Sequence, residues 1–264
     1  MANRYMARED APFGNDLWKV LDEAVIAAAR SELVGRRMLP LKGPFGFGAK
    51  SVSLQDEINE DSLTIAPTLP LTMIREPFEL GMRDLASFER DGLLVHVKPV
   101  ETAALKVARG EDQLLFNGVK EAPGLLNSPG VNKLGLLPWD DIGTAANAAI
   151  QAITVLDQAG FHGPYTMALA PKRYNMLFRR YPQGHQTEMD HLATMVTGGV
   201  YKAPLLDDGG VILALGLDPA SIILGQDITI GFVGPAGGTL EFYIAETVAL
   251  HVRYAEAVCV LEAQ

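Results

Sequence analysis

The stretch "GPFGFGAKSVSLQDEINEDSLTIAPTLPLT", Gly43 to Thr72, is the part of this sequence least typical of a compact domain. Glycines and prolines are scattered through it, and its apolar residues alternate with polar ones only in short runs such as residues 51–54. Its acidic residues are concentrated in the middle, at Asp56, Glu57, Glu60 and Asp61. A segment of this length that cannot bury itself is unusual inside a compact domain. We therefore predict a projecting, two-stranded arm over residues 43–72 that finds its partner surface elsewhere.

Regular elements flank the arm on both sides. Apolar residues at helical spacing predict helices over residues 15–34, 99–118 and from about 138 to 160, each ended by a glycine. The last third is rich in strands, with a turn at "GPAGG", residues 234–238. Helices and strands mix without a regular βαβ rhythm, which predicts the α+β class. The remaining predictions are short helices over 171–180 and 187–197, and strands over 165–170, 211–215, 222–224, 228–233 and 240–252.

Composition restricts the classes of function. Hydrophobic residues make up 48% of the 264 residues, and the formal net charge is −10. Because a nucleic-acid groove needs a basic surface, we expect no nucleic-acid partner. The charged N-terminal residues do not resemble a secretory signal, and no apolar run reaches 18 residues, so we expect a cytoplasmic protein without a membrane partner. The lone Cys259 lies in an apolar run and is interpreted as a small buried hydrophobe.

Motifs for intrinsic catalysis are weak. The sequence lacks dinucleotide, P-loop, nucleophile-elbow and zinc-helix patterns, and the glycines of residues 43–48 lack the lysine and helix that a phosphate cradle needs. Glu111 lies on the apolar stripe of the second predicted helix, where a structural ion pair is favoured over a catalytic role.

The strongest candidate for chemistry is "RRYPQGHQTEMDH", residues 179–191. His185, Glu188 and His191 follow one another at intervals of three, but on a helix the two histidines would lie about 120° apart. A zinc helix places its pair at i and i+4. A solvated loop before a helix capped near Thr187 is therefore favoured, and a metal-dependent hydrolase that uses these three residues stays an alternative.

Taken in order along the chain, short motifs resemble the shell proteins of encapsulins, which are bacterial relatives of the major capsid proteins of tailed phages with the Hong Kong 97 fold. No single motif is diagnostic, but their order and spacing are specific, and they run almost from end to end. The motifs are Ala11-Pro12 and Trp18; Gly35-Arg36-Arg37; Gly43-Pro44; Leu69-Pro70-Leu71; Phe88-Glu89-Arg90; Glu111-Asp112, Phe116 and Gly118; Gly163-Pro164-Tyr165; Gly184-His185; Leu224-Gly225-Gln226-Asp227; Ile230-Gly231; Glu246-Thr247; and Glu256-Ala257.

The resemblance implies a division into domains. Residues 1–42, with the N-terminal helix, would begin a peripheral domain, residues 73–121 would supply its spine helix, and the C-terminal strands of residues 226–264 would complete it. Residues 43–72 would form the extended arm, known as the E-loop. Residues 122–225 would form an axial domain that points at the symmetry axes.

The resemblance also implies a function as a self-assembling icosahedral shell, a nanocompartment of about sixty copies of this chain. The shell would enclose a cargo enzyme, of the ferritin-like iron oxidase or dye-decolourising peroxidase type, held by a short C-terminal or N-terminal peptide. Iron storage or protection against oxidative stress would follow, and the chain itself would not be an enzyme. A viral or prophage capsid protein is the alternative within the same fold.

Two sets of site residues follow from the resemblance. The loop around the five-fold axis would line a pore with Tyr181, Pro182, Gln183, Gly184, His185, Gln186, Thr187 and Glu188. The inner wall that binds cargo would include Val25, Ala29, Leu33, Arg36, Val248 and Leu250, and packing of these residues against one another is an equally favoured interpretation. Some relatives stack a flavin on a tryptophan, and this chain has Arg83 at that position, so we expect no flavin or other cofactor and no metal.

Overall fold

The computed structural model describes residues 4–58 and 64–263, so Glu60 and Asp61 of the predicted arm lie outside the described residues. The helices are α1 (Asn15–Glu32), α2 (Gly35–Met38), α3 (Met82–Asp91), α4 (Lys98–Asn117), α5 (Thr144–Gln158), α6 (Pro171–Met176) and α7 (Glu188–Met195). The strands are β1 (Leu41–Lys42), β2 (Ser51–Ser53), β3 (Glu57–Ile58), β4 (Thr64–Ile65), β5 (Thr68–Pro70), β6 (Thr72–Gly81), β7 (Asn132–Leu136), β8 (Tyr165–Leu169), β9 (Val200–Lys202), β10 (Gly210–Ala214), β11 (Ala220–Ala236), β12 (Thr239–Val252) and β13 (Val258–Ala263).

Two compact units divide the chain. Unit 1 comprises Met1–Leu33, Lys42–Glu111 and Ile223–Ala249, and unit 2 comprises Val34–Leu41, Asp112–Ile222 and Leu250–Gln264. Each unit is therefore assembled from three separate stretches of chain, so neither is complete before the C-terminal strands have been made.

Unit 1 surrounds an apolar core between helices and a sheet. In the described chain the strand order of this sheet is β1-β11-β12-β6, and β12 pairs with β6 in antiparallel register from Thr239 opposite Gly81 to Val248 opposite Thr72. The rings of Phe78 and Phe242 are stacked 5.2 Å apart at its centre. The apolar stripes of α1 and α4 pack into the same core, because residues that recur at helical spacing share one face.

The arm consists of two short antiparallel ladders. β2 pairs with β5, with Ser53 opposite Thr68, and β3 pairs with β4. Among residues 43–56 and 64–72, whose exposure the structure describes, none is fully buried. The prediction of a two-stranded segment without a core of its own is confirmed.

Unit 2 packs α5 and α7 against a second sheet, whose order is β7-β13-β10-β8-β9 among the described residues. Every residue of β8 and β10 is buried, as expected for strands covered on both faces. β13 pairs with β10 and with β7, so this C-terminal strand belongs to unit 2, whereas the sequence had assigned it to a peripheral domain. Cys259 of β13 is buried, and desolvation raises the pKa of its thiol to about 11.

Several boundaries differ from the sequence-based expectation. The third long helix begins at Thr144 and not near 138, because Gly143 adopts φ +100°, outside the helical region. The strands expected over 222–224 and 228–233 are one continuous strand, β11, which ends at the expected turn. The helix α3 was not predicted: Met82, Leu85 and Phe88 recur at helical spacing, but the helix has only ten residues, most of them polar, and Leu85 is its one buried residue.

Within the described residues, no helix is both long enough and apolar enough to cross a membrane.

Glu111, which the sequence places on the apolar stripe of α4, is fully buried.

Asp112 joins α4 to the start of α2 within unit 2. Its two carboxylate oxygens accept hydrogen bonds from the backbone N–H groups of Val34 and Gly35, each at 2.8 Å. All three residues are buried. The carboxylate therefore satisfies two donors that water cannot reach.

We expect Asp112→Ala to destabilise the fold by about 3 kcal/mol, because two buried N–H groups lose their acceptor. Gln113→Ala is the matched control, since Gln113 is exposed on the same helix and its change should stay within about 0.5 kcal/mol. Chemical denaturation followed by circular dichroism measures both. Equal midpoints for the two variants would contradict this role of Asp112.

Candidate functional site

The loop between α6 and α7 closes on itself. The N–H of Tyr181 donates to the carbonyl of Gln186 at 3.1 Å, and the N–H of Gly184 donates to the carbonyl of Tyr181 at 3.2 Å. An isolated bridge pairs Arg180 with Thr187 at the base. Residues 182–186 are all exposed, so Pro182, Gln183, Gly184, His185 and Gln186 form the tip.

Thr187 caps α7, as its sequence predicted. Its hydroxyl accepts a hydrogen bond from the N–H of Asp190 at 3.1 Å, and the Asp190 carboxylate accepts from the N–H of Thr187 at 2.8 Å. This reciprocal pair is a capping box. The Thr187 N–H bond also lowers the pKa of the Asp190 carboxyl group below its usual range.

Glu188 is fully buried beneath the loop. One of its oxygens lies 2.8 Å from Nη2 and 3.2 Å from Nε of Arg179, and the other accepts from the N–H of Gly143 at 2.7 Å. Arg179 also donates to the carbonyl of Trp139 at 2.7 Å. Both oxygens are thus engaged inside the unit, so the predicted pore-lining set has to be corrected at Glu188, whose side chain anchors the loop from below.

The three residues of the hydrolase alternative are not assembled into a site. His185 lies on the exposed tip, Glu188 is bound to Arg179, and His191 Nδ1 lies 2.9 Å from the hydroxyl of Tyr181. Burial of Tyr181, with the charge of Glu188, raises the pKa of its hydroxyl. Within residues 4–58 and 64–263, His, Cys, Asp and Glu side chains form no group of three that could hold a metal ion.

The predicted cargo-binding residues of α1 face the interior. Val25 is 3% exposed, Ala29 5% and the following Leu33 5%, and they pack in the apolar clusters of unit 1. Val248 and Leu250 of β12 are also buried. Arg36 is half-buried. The reading that these residues pack within their own chain therefore describes all the apolar members of the set.

A different face of α1 is open to solvent. Ile26 is 49% exposed, and Arg30, one turn later, is also exposed. Residues at i and i+4 are neighbours on a helix surface. Sequence reasoning missed Ile26 because it followed the buried stripe, although an apolar residue outside that stripe was a usable signal.

Arg83, the residue from which we predict that no flavin binds, is exposed near the start of α3.

A protein-family model described as "Encapsulating protein for peroxidase" matches residues 3–249. The chain belongs to this family. Among curated proteins, it is 29% identical over 262 residues to a diheme-cytochrome–encapsulin shell fusion protein of Kuenenia stuttgartiensis, covering 93% of this chain and 72% of the relative. It is 26% identical to the type 1 encapsulin shell protein EncA of Myxococcus xanthus, covering 98% and 96%. The resemblance to encapsulin shell proteins is thereby confirmed.

Solved structures show the same fold. A virus-like particle from Pyrococcus furiosus superposes with a TM-score of 0.77 at 22% identity, covering 93% of this encapsulin chain and 99% of that one. The capsid protein of Myoviridae phage XM1 gives a TM-score of 0.63 at 15% identity, covering 86% and 90%. These likenesses confirm the prediction of an α+β, Hong Kong 97-like capsid fold.

Proposed function

We propose that copies of this chain assemble into a closed icosahedral nanocompartment that encloses a cargo enzyme. The observation that carries this proposal is the arm, which forms its own ladders and has no fully buried residue among 43–56 and 64–72. Such a segment gains stability when it lies on another copy, because a specific interface buries on the order of 1,000 Å² or more. Symmetry then repeats one interface until the shell closes, at about sixty copies for the smallest icosahedral shell.

Electron microscopy and mass measurement of the purified protein test the proposal. Closed particles of uniform size support it, and an assembly no larger than a monomer or small oligomer refutes it. The contents of the particles distinguish an encapsulin from a viral or prophage capsid, because an encapsulin encloses protein and a capsid encloses nucleic acid. We expect protein contents in a cytoplasmic compartment.

The cargo we propose is a ferritin-like iron oxidase or a dye-decolourising peroxidase, held through a short terminal peptide. The family description names a peroxidase, and a relative from Pyrococcus furiosus is named a ferritin-like–encapsulin shell fusion protein. Iron storage or protection against oxidative stress would be the result. In this view the shell itself is not an enzyme, and the dispersed positions of His185, Glu188 and His191 support that view.

For cargo docking we propose the open face of α1, with Ile26 in contact with an apolar residue of the guest peptide. Val25, Ala29 and Leu33, which are buried on the other side of the helix, then support this surface from beneath. This arrangement keeps the predicted region and changes which side chains touch the guest.

We expect Ile26→Asp to reduce cargo loading roughly tenfold while folding stability stays unchanged, because a charge replaces an exposed apolar contact. Val25→Ala should do the opposite: it should cost about 2 kcal/mol of stability and retain loading. The measurements are the ratio of co-expressed guest to shell in purified particles and the denaturation midpoint. Normal loading of Ile26→Asp particles would show that this face of α1 does not bind the guest peptide.

For solute passage we propose that the loop tip, residues 182–186, surrounds a pore at a five-fold axis, with Tyr181 and Thr187 at its base. Symmetry brings one copy of each tip residue per subunit to the same opening. A change of one charge in the sequence is therefore multiplied around the axis.

We expect Gln183→Glu to speed entry of small cations and slow entry of anions several-fold, because carboxylates gather around one opening. Gln151→Glu on the exposed face of α5 introduces the same charge as a matched control and should leave both rates unchanged. Quenching of a dye sealed inside particles, by Co²⁺ or by iodide, measures entry. Equal rates for the two variants would place the pore elsewhere.

A further inference from the structure

Unit 1 contains an apolar groove of about 490 Å³ between the segment before α1, the helix α3 and the turn between β11 and β12. Its floor is apolar, formed by Phe13, Leu85, Phe232 and Leu240, and its rim carries the carboxylates of Asp10 and Glu89. Since a cavity of about 150 Å³ holds a benzene molecule, this groove has room for two leucine side chains.

An apolar knob, Leu93-Leu94, follows α3 in the same unit. Gly92 ends the helix with φ +66°, and the chain then turns Leu93 outward at 56% exposure and Leu94 at 98%. The next residue, Val95, packs against the core of unit 1. The knob is therefore tethered on both sides, and a side chain as exposed as Leu94 has almost no packing contact within its own chain.

Charge complements shape in this pair of surfaces. The knob lies between the exposed Arg90–Asp91 ion pair and the exposed Lys98, so these neighbours carry one net positive charge, and the groove has an acidic rim. An apolar anchor with a cationic flank fits an apolar pocket with an anionic edge, which is the pattern of a specific contact.

We infer that Leu93-Leu94 of one copy occupies the groove of a second copy of this chain. The contact is heterologous, since knob and groove are different surfaces, and such contacts close into rings in a symmetric assembly. This inference rests on the proposed shell and names one of its interfaces.

A disulfide trap tests the contact. The native Cys259 is buried with a raised thiol pKa, so it should not compete with two introduced cysteines. Shells of a chain carrying both Leu94→Cys and Ala86→Cys, where Ala86 lines the groove, are oxidised mildly and run on a denaturing gel without reductant. Because every copy supplies one knob and one groove, we expect a ladder of covalent multimers that mass spectrometry assigns to the 94–86 disulfide.

In the matched control, the cysteine is introduced at Leu217 instead of at Leu94. Leu217 belongs to unit 2 and is 73% exposed. The pair Leu217→Cys and Ala86→Cys should give no ladder. Closed shells in which the 94–86 disulfide does not form would overturn the inference and leave the shell intact. Failure of the unaltered chain to form particles would instead refute the proposed function.

A second variant covers the case in which the double-cysteine chain does not assemble. Leu94→Asp should raise the concentration needed for assembly roughly tenfold or more, because a buried apolar anchor is replaced by a charge. Leu217→Asp should leave that concentration unchanged. Assembly of Leu94→Asp at the normal concentration would overturn the inference.

Discussion

A chain in which Asn-Gly replaces residues 54–67 should fold normally and fail to form particles. Ser53 and Thr68 are direct antiparallel partners, so a two-residue type I′ turn can join them and keep the base of the arm. Among the removed residues 54–56 and 64–67, whose exposure the structure describes, none has a fully buried side chain. We therefore expect a change in folding stability within about 1 kcal/mol.

Assembly should respond far more strongly than folding. Loss of the arm removes area from every copy of a repeated interface, and the fraction of chain in particles should fall at least roughly a hundredfold at a given concentration. Size-exclusion chromatography and electron microscopy measure this, with Gln55→Ser as the full-length control. Closed particles from the shortened chain would show that the arm is not what holds the copies together.

The second large effect concerns the ion pair beneath the loop. Arg179→Met retains an extended side chain and removes the guanidinium, which leaves the buried Glu188 carboxylate with the hydrogen bond from the N–H of Gly143 but without its ion pair. Breaking a buried pair by removing one partner is strongly destabilising, by about 3 kcal/mol here. In a chain of this size such a loss lowers the melting temperature by roughly 10 °C.

Arg180→Met is the matched control for Arg179→Met. Arg180 is the adjacent residue, is exposed, and carries the same charge. Its replacement should change the melting temperature by no more than about 2 °C. Differential scanning calorimetry compares the two variants. If the two variants have the same melting temperature, the Arg179–Glu188 pair does not stabilise the loop.

Local sequence was a good guide where one element depends on its own residues. The first helix was expected over 15–34 and runs from Asn15 to Glu32, because a regular apolar stripe and a following glycine suffice to define it. The cap at Thr187 was found for a similar reason, since a capping box lies within four residues. The missed helix α3 shows a limit of this guide: its apolar residues recur at helical spacing, but they are few and lie in a helix of ten mostly polar residues.

The contacts within the site were less predictable, since the residues that make them come from distant parts of the chain. Glu188 lies nine residues from Arg179 and 45 from Gly143, and no local pattern indicates that these groups meet around a buried carboxylate. The same holds for Asp112, whose partners lie 77 and 78 residues away.

Sequence patterns were enough to predict the α+β class, the arm that cannot bury itself, the weakness of any catalytic motif and the resemblance to encapsulin shell proteins. Which side chains are available to partners became evident from the folded chain alone. It buried Val25, Ala29 and Glu188 and left Ile26 and Leu94 in solvent. The physical reason is that periodicity identifies an apolar stripe but not what covers it, and burial depends on contacts between residues far apart along the chain.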